Sequence, residues 1–198
     1  MKNKLLNIVI KSVLAGVLIA LAGHIYLNCA NKIVGAFLFS IGLIGVIVLQ
    51  ANLYTGKVGY VKSKSDILEL LVILCVNIVA AFLVGLLVRS SYDLGTPYAS
   101  RLLKSEFRIF LDGVFCGMLI YLAVELYKKT SSLIPVIMCV MAFILAGFEH
   151  SIADAYFLGV QGLSSKGVYY LFLIVVGNGV GSLLVRHLQL LGEKTKNN

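Results

Sequence analysis

Six apolar stretches, each close to the length that crosses a bilayer, follow one another along this chain of 198 residues. A helix needs roughly 20 apolar residues to cross the hydrocarbon core of a membrane. The predicted spans cover residues 5–28, 33–54, 67–89, 107–127, 131–157 and 167–190, and short polar connectors separate them. The sequence therefore predicts an all-α membrane protein with six transmembrane helices in a single domain, residues 1–198.

The composition also places this domain in lipid. Hydrophobic residues make up 60% of the chain and charged residues only 13%, whereas soluble domains are about half apolar and a quarter charged. The net charge of +8 does not indicate a nucleic-acid partner, because the basic residues are scattered along the connectors between helices. The four cysteines lie far apart in or beside apolar segments, so they predict neither a disulfide framework nor a metal site.

The distribution of basic residues predicts the orientation in the membrane. An even number of spans places both termini on one side, and that side carries most of the Lys and Arg residues. These are Lys2, Lys4, Lys11, Lys57, Lys62, Lys64, Lys128, Lys129, Arg186, Lys194 and Lys196. Short loops rich in Lys and Arg remain in the cytoplasm. We therefore expect a multi-pass protein of the bacterial cytoplasmic membrane with cytoplasmic termini.

Polar residues interrupt the second and the fifth predicted span. The second reads "QANLYTGKVGY" after Leu49, and the fifth contains "GFEHSIAD" from Gly147. The interruptions occupy corresponding positions in two three-helix halves, about 1–95 and 96–198, and an odd number of helices gives the halves opposite orientations. Paired broken helices in inverted halves are the sequence pattern of a transport site near the membrane midplane.

His150 is the histidine that lies deep within a predicted span. It could simply form a hydrogen bond between packed helices, but an ionisable group inside the membrane is a functional hypothesis by default. Histidine exchanges protons near neutral pH, and a small anion is far costlier at the midplane than its neutral acid. A histidine there could protonate a weak-acid anion, let the acid pass an apolar constriction, and recover the proton.

Two carboxylates accompany this histidine in sequence. Glu149 is adjacent and points elsewhere on a helix, so we expect it to accept hydrogen bonds from backbone N–H groups freed at the break. Asp154 lies four residues after His150 and could hold the ring or stabilise its charged form. The three groups could also ligate a metal, but no second cluster completes such a site. We expect no metal and no cofactor.

The two interruptions resemble those of the formate/nitrite transporter family, which also includes hydrosulfide channels. "GFEHSIADAYF", residues 147–157, looks like the fifth-helix motif of that family, and "ANLYTG", residues 51–56, looks like its second-helix loop "AELFTG". The resemblance extends over the six spans and includes "GN" at Gly177 and Asn178. It implies an aquaporin-like protomer, a homopentamer and one pore in each protomer.

By motif position, the resemblance implies roles for several residues. His150 is the expected central pore histidine, Thr55 the threonine that hydrogen-bonds it or the substrate, and Leu53 part of the cytoplasmic constriction. The periplasmic constriction is expected at Phe39, Leu43 and Phe143, all bulky and apolar as a dewetted gate requires.

Several positions depart from the family pattern. Gly117 stands where the family usually has an asparagine, Asp154 replaces another asparagine, and Asn52 replaces the loop glutamate. Arg101 takes the place of the outer-vestibule lysine, with Lys104 close by, and we expect these two residues to attract anions. Gly117 removes a polar partner of the histidine while Asp154 adds a charged one, which could change the weak acid that is favoured.

The sequence therefore predicts a channel or transporter for small monovalent weak-acid anions such as formate, nitrite or hydrosulfide. One alternative is the substrate-binding membrane subunit of a multi-part importer, and another is a neutral-solute channel in which His150 is only a pore-lining donor. A membrane-embedded enzyme is not expected, because the sequence offers no set of nucleophile, base and orienting group.

Overall fold

The computed structural model describes residues 2–89 and 100–196. Within these ranges the chain forms eight α-helices and no β-strand. They are α1 (Lys2–Asn28), α2 (Lys32–Val48), α3 (Tyr54–Lys57), α4 (Lys64–Val88), α5 (Glu106–Thr130), α6 (Ile134–Leu145), α7 (Ser151–Gln161) and α8 (Ser165–Lys196). The all-α class is thereby confirmed. The predicted boundary between the halves, near residue 95, lies outside the described residues.

Four of the described helices are long and apolar enough to cross a membrane: Asn3–Asn28, Lys64–Val88, Glu106–Thr130 and Ser165–Thr195. The apolar helices α2 and α6 are shorter. Large apolar side chains are exposed along the outside of the bundle, for example at Leu21, Phe37, Leu87, Phe172 and Leu188. A surface of this kind is stable only in contact with lipid or with other apolar protein surfaces.

Polar side chains define where several helices begin. Asn31 accepts hydrogen bonds from the N–H groups of Ile33 and Val34 and starts α2. Ser63 and Asp66 form a capping box at the start of α4, in which each side chain accepts from the other residue's backbone. These caps lie in the polar connectors that the sequence indicates, so they satisfy free backbone N–H groups at the helix ends.

The glycine at position 117 allows α5 and α8 to pack closely. A Cβ atom at Gly117 would lie 2.7 Å from the Cα atom of Asn178, and the Ser182 hydroxyl donates a hydrogen bond to the Gly117 carbonyl at 3.0 Å. The position has no room for the asparagine side chain that the family usually carries there. The departure at Gly117 is therefore accommodated by helix packing.

We expect Gly117→Ala to lower the free energy of unfolding by about 1–3 kcal/mol, because the methyl group forces the two backbones apart. Gly192→Ala is the matched control in α8, since a Cβ atom there meets nothing within 4 Å. The control should be neutral or stabilising by up to about 1 kcal/mol. Thermal unfolding in detergent measures both variants. Equal melting temperatures would show that α5 and α8 are not in tight contact.

Candidate pore site

The two predicted interruptions form the same backbone structure. After α2, Gln50 adopts a left-handed conformation with φ of 51°, and the N–H of Ala51 donates to the Val46 carbonyl at 2.9 Å. After α6, Gly147 has φ of 72°, and the N–H of Phe148 donates to the Phe143 carbonyl at 3.0 Å. Each turn ends the preceding helix, and a short helix, α3 or α7, follows within four residues.

One buried asparagine satisfies the backbone at the first break. The amide nitrogen of Asn77, in α4, donates to the carbonyls of Asn52 at 2.9 Å and Ser12 at 2.7 Å. Its amide oxygen accepts from the N–H of Tyr54 at 2.9 Å. The three bonds join α1, α4 and the start of α3.

A second buried asparagine repeats this arrangement at the other break. The amide nitrogen of Asn178, in α8, donates to the carbonyls of Glu149 at 2.9 Å and Gly113 at 2.8 Å. Its amide oxygen accepts from the N–H of Ser151 at 2.9 Å. The sequence analysis selected Asn178 but missed Asn77. The signal that could have identified Asn77 is its place in the third apolar span, the last span of the first half, because Asn178 lies in the sixth span, the last span of the second half.

His150 precedes α7 and joins the two breaks. Its Nδ1 atom accepts a hydrogen bond from the N–H of Ala153 at 3.3 Å, and its Nε2 atom lies 2.9 Å from the Thr55 hydroxyl oxygen. Because a backbone N–H can only donate, the neutral ring carries its hydrogen on Nε2 and donates it to Thr55. His150 is 3% exposed and Thr55 1%. This contact connects α3 with α7 in the interior of the bundle.

Apolar side chains surround this contact. The rings of Phe143 and His150 stack with centroids 5.9 Å apart, and Phe39 meets Phe143 edge to face at 5.8 Å. Leu53 is buried at the position before α3 that His150 occupies before α7. Leu43 is also buried in this core.

Two cavities adjoin this core. The smaller, about 270 Å³, is lined by His150, Phe39 and Phe143 together with Arg101 and Lys104 from the connector before α5. The larger, about 770 Å³, is lined by Leu43, Leu53 and Asn52, and by Lys11 and Arg186 from the terminal parts of α1 and α8. Leu43 was expected to form the periplasmic constriction together with Phe39 and Phe143, but it borders the same cavity as Leu53. Asn52 also donates a backbone hydrogen bond to the Lys11 carbonyl at 3.0 Å.

The carboxylate of Glu149 binds two basic side chains in the smaller cavity. Its oxygens lie 2.7 Å from Arg101 Nε and 2.7 Å from Lys104 Nζ. Lys104 also contacts Asp112 at 2.8 Å, and Asp112 binds Arg108 at 2.8 Å. The sequence analysis expected Glu149 to accept from backbone N–H groups, but its carboxylate instead pairs with the two cations that were expected to attract anions.

The side chain of Lys104 remains charged in this cluster. Burial disfavours the ammonium group, but the carboxylates of Glu149 and Asp112 outweigh burial and raise the pKa of Lys104 above its ordinary value. A raised pKa keeps Lys104 protonated throughout the physiological pH range. The cluster therefore holds a fixed positive charge whose field is balanced by carboxylates within contact distance.

Asp154 lies beside this cluster without a hydrogen bond to its carboxylate. It is 1% exposed, and its nearest cationic partner is Arg101 Nε at 3.6 Å. The side chain of Asp154 makes no hydrogen bond to the ring of His150. The two residues are joined by a backbone bond, in which the N–H of Asp154 donates to the His150 carbonyl at 2.8 Å. The ring is oriented by Thr55 and Ala153 instead.

We expect Asp154→Asn to raise the free energy of unfolding by about 1–3 kcal/mol, because the amide can donate hydrogen bonds, whereas neither side-chain oxygen of Asp154 has a hydrogen-bond partner among the described residues. Glu149→Gln is the matched comparison and should lower it by about 3–5 kcal/mol, since it leaves Arg101 and Lys104 without their carboxylate. Thermal unfolding of both variants at neutral pH measures the difference. A loss of similar size in both would mean that Asp154 is ion-paired as firmly as Glu149.

These features define a multi-pass helical membrane protein of the channel class. The described residues contain no group of His, Cys, Asp and Glu side chains arranged to hold a metal ion. The model of the formate/nitrite transporter family matches residues 1–191, and the chain belongs to that family. The resemblance noted in the sequence is thereby confirmed.

Solved channel structures have the same fold. A "pentameric formate channel with formate bound" superposes with a TM-score of 0.81 at 17% identity, covering 98% of this chain and 99% of that one. An "FNT family ion channel" gives a TM-score of 0.79 at 18% identity, covering 96% and 89%. No curated protein sequence matches the chain significantly. At these identities the likeness establishes the fold alone.

Proposed function

We propose that this chain forms a channel for small monovalent weak-acid anions, such as formate, nitrite or hydrosulfide, or for their neutral acids, across the bacterial cytoplasmic membrane. The observation that carries the proposal is the 2.9 Å contact between His150 and Thr55. It places a protonatable ring at the junction of two broken helices, within an apolar core that separates two cavities.

In this proposal the protomer has six spans in two inverted halves. Helices α2 and α3 together complete the second span, and α6 and α7 complete the fifth. The support is that Asn77 and Asn178 make the same three bonds to equivalent backbone groups at the two breaks. We further propose cytoplasmic termini and a homopentamer with one pore in each protomer. The pentameric assembly of the similar formate channel supports the latter.

Proton exchange follows from the hydrogen bonds of the imidazole. The ring takes up a proton on Nδ1, which breaks the 3.3 Å bond from Ala153, the longer of the two contacts of the ring. It then releases the Nε2 proton to Thr55, whose own hydroxyl proton passes to the bound anion. The neutral acid crosses the apolar region at Leu53 and loses its proton on the other side. The ring returns to its starting tautomer by exchanging its proton with the cavity.

The role of the basic residues is different in this proposal. Because Glu149 pairs with both Arg101 and Lys104, part of their charge is compensated, and these cations offer an arriving anion hydrogen-bond donors as well as the remaining positive field. Transient release of either cation from Glu149 would let it bind the anion beside His150. Phe39 and Phe143 form the constriction on this side, and Leu43 and Leu53 line the cavity on the other side.

Flux through purified protein in liposomes tests the proposal. We expect formate, nitrite and hydrosulfide to cross, with rates that rise as the pH falls from about 8 to about 5, where the neutral acid forms more easily. Acetate and lactate serve as larger competitors. The absence of flux for all three small anions, in protein that is folded by circular dichroism, would exclude this function.

We expect Phe143→Ala to relax selectivity, because the ring that packs against both Phe39 and His150 is lost. Flux of acetate should rise relative to formate by about tenfold, as widening an apolar constriction removes a steric barrier. Phe172→Ala is the matched control, since Phe172 is exposed on the outside of α8. An unchanged ratio of acetate to formate flux would remove Phe143 from the constriction.

A further inference from the structure

The larger cavity carries more positive charge than a path for a small anion requires. Five basic side chains from five parts of the chain line it: Lys11, Lys57, Lys62, Lys128 and Arg186. Two carboxylates, Asp66 and Glu69, also line it. The cavity therefore has a formal excess of three positive charges.

Within the part of the chain that the structure describes, none of these charges is paired with a carboxylate at contact distance, although the carboxylate of Glu125 acts on Lys128 and Arg186 from farther away. Asp66 accepts from the backbone N–H groups of Lys62 and Ser63 at 3.0 Å each, and Glu69 pairs with Lys4 at 3.2 Å. In residues 2–89 and 100–196, none of the five basic side chains of the cavity lies within 4.0 Å of a carboxylate oxygen. The smaller cavity differs, since its cations bind carboxylates directly.

Aromatic rings lie among these cations. The ammonium of Lys128 lies 3.2 Å from the centroid of the Tyr60 ring, and the guanidinium carbon of Arg186 lies 5.8 Å from it. A cation against an aromatic face gains only part of what an anionic partner would provide. Tyr127 also lines the cavity. Converging Lys and Arg side chains of this kind match the oxygens of phosphate groups.

The size of the cavity sets the size of the ligand. A volume of about 770 Å³ is within the range of sites for cofactor-sized molecules. A formate or nitrite ion would fill only a small part of it. Several phosphate groups, by contrast, could contact Lys57, Lys128 and Arg186 at the same time.

We propose that the larger cavity is a binding site for a polyvalent, phosphate-bearing anion that enters from the side of the termini. Leu43 and Leu53 line the same cavity, so a bound ligand of this size occludes the route to His150. Binding itself is independent of the transport function, and only the inhibition of flux rests on the proposed function.

Binding of ATP and of inorganic pyrophosphate to the full chain tests the site. The protein is placed in phosphatidylcholine nanodiscs, and binding is followed by isothermal titration calorimetry. We expect saturable binding that weakens as the salt concentration rises. The double variant Lys57→Gln with Arg186→Gln should weaken binding about a hundredfold, since each lost charge-assisted bond costs about tenfold. The charge-retaining Lys57→Arg should bind, which separates lost contacts from misfolding.

Lys166→Gln is the matched control, because it removes one positive charge from an exposed position against Tyr170, outside this cavity. It should bind both probes as the wild type does. Absence of binding in wild-type protein, or binding that the double variant retains in full, overturns the proposal. If wild-type protein binds ATP in phosphatidylcholine nanodiscs but not in nanodiscs that contain cardiolipin, the natural phosphate source is a lipid headgroup at the same site.

Flux measurements separate this inference from the transport function. ATP on the side of the termini should inhibit formate flux in the wild type and not in the double variant. Formate flux that persists in saturating ATP, with binding shown by calorimetry, would refute occlusion. Binding without any formate flux would leave the site standing and refute the transport function instead.

Discussion

Replacing His150 with asparagine is expected to abolish the pH dependence of anion flux and to lower flux at acidic pH by about a hundredfold, the usual contribution of a positioned proton donor. Asparagine can still donate to Thr55 from its side chain, but it cannot take up and release a proton near neutral pH. The substitution therefore keeps a hydrogen bond to Thr55 in place of the 2.9 Å contact between ring and hydroxyl, but it removes the exchangeable proton. Formate flux into liposomes between about pH 5 and pH 8 measures the effect.

Thr55→Val and Thr55→Ser provide the controls for this prediction. Valine keeps the volume but removes the hydroxyl, so flux should fall nearly as far as in His150→Asn. Serine keeps the hydroxyl, so both the flux and its pH dependence should persist. A His150→Asn protein whose flux still rises with acidity would show that the proton comes from another group. Asp154, which lines the same cavity, is then the next residue to replace.

Replacing Asn77 or Asn178, the two buried asparagines that bind the backbone at the breaks, with leucine should have the largest effect on stability. Asn77→Leu leaves the Tyr54 N–H and the carbonyls of Asn52 and Ser12 without their partner in the protein interior. Each unsatisfied buried group costs about 1–3 kcal/mol. We expect the free energy of unfolding to fall by about 3–6 kcal/mol, measured by thermal or denaturant unfolding in detergent.

The same substitution at Asn178 should cost about as much, because Asn178 makes three equivalent bonds. Asn77→Asp and Asn178→Asp should each cost at least as much as leucine, because a carboxylate oxygen would face the two carbonyls that the amide nitrogen now binds. Asn7→Leu, at an exposed position of α1, is the control and should be nearly neutral. Strongly unequal losses at Asn77 and Asn178 would count against the two inverted halves.

Much of the fold was predictable because membrane helices satisfy their own backbone. The length of the apolar runs indicates helices without any tertiary information, and the family and the all-helical class are confirmed. The ends of the broken helices were harder to place. They depend on single turns at Gln50 and Gly147, and only the glycine is a residue that favours the left-handed region.

The partners of the site residues were less predictable than their positions. Sequence placed Glu149 beside backbone N–H groups, but Arg101 and Lys104 approach it from a connector that is far away in sequence. Asn77 escaped notice because an asparagine in an apolar span has no distinctive neighbours. Its role becomes visible only when its bonds are compared with those of Asn178. The assignments of pore roles to His150 and Thr55 stay predictions until flux is measured.

In the proposed function, the equivalent positions of Leu53 and His150 make the conduction path kinetically asymmetric. Each residue precedes the short helix of its break, yet one is aliphatic and borders the larger cavity, and the other carries an imidazole and borders the smaller one. A substrate that enters from the smaller cavity is protonated first and then crosses the aliphatic step. A substrate from the larger cavity meets that step while still ionised. The two directions of travel therefore have different slow steps, and formate flux should differ in rate between inward and outward concentration gradients of equal size.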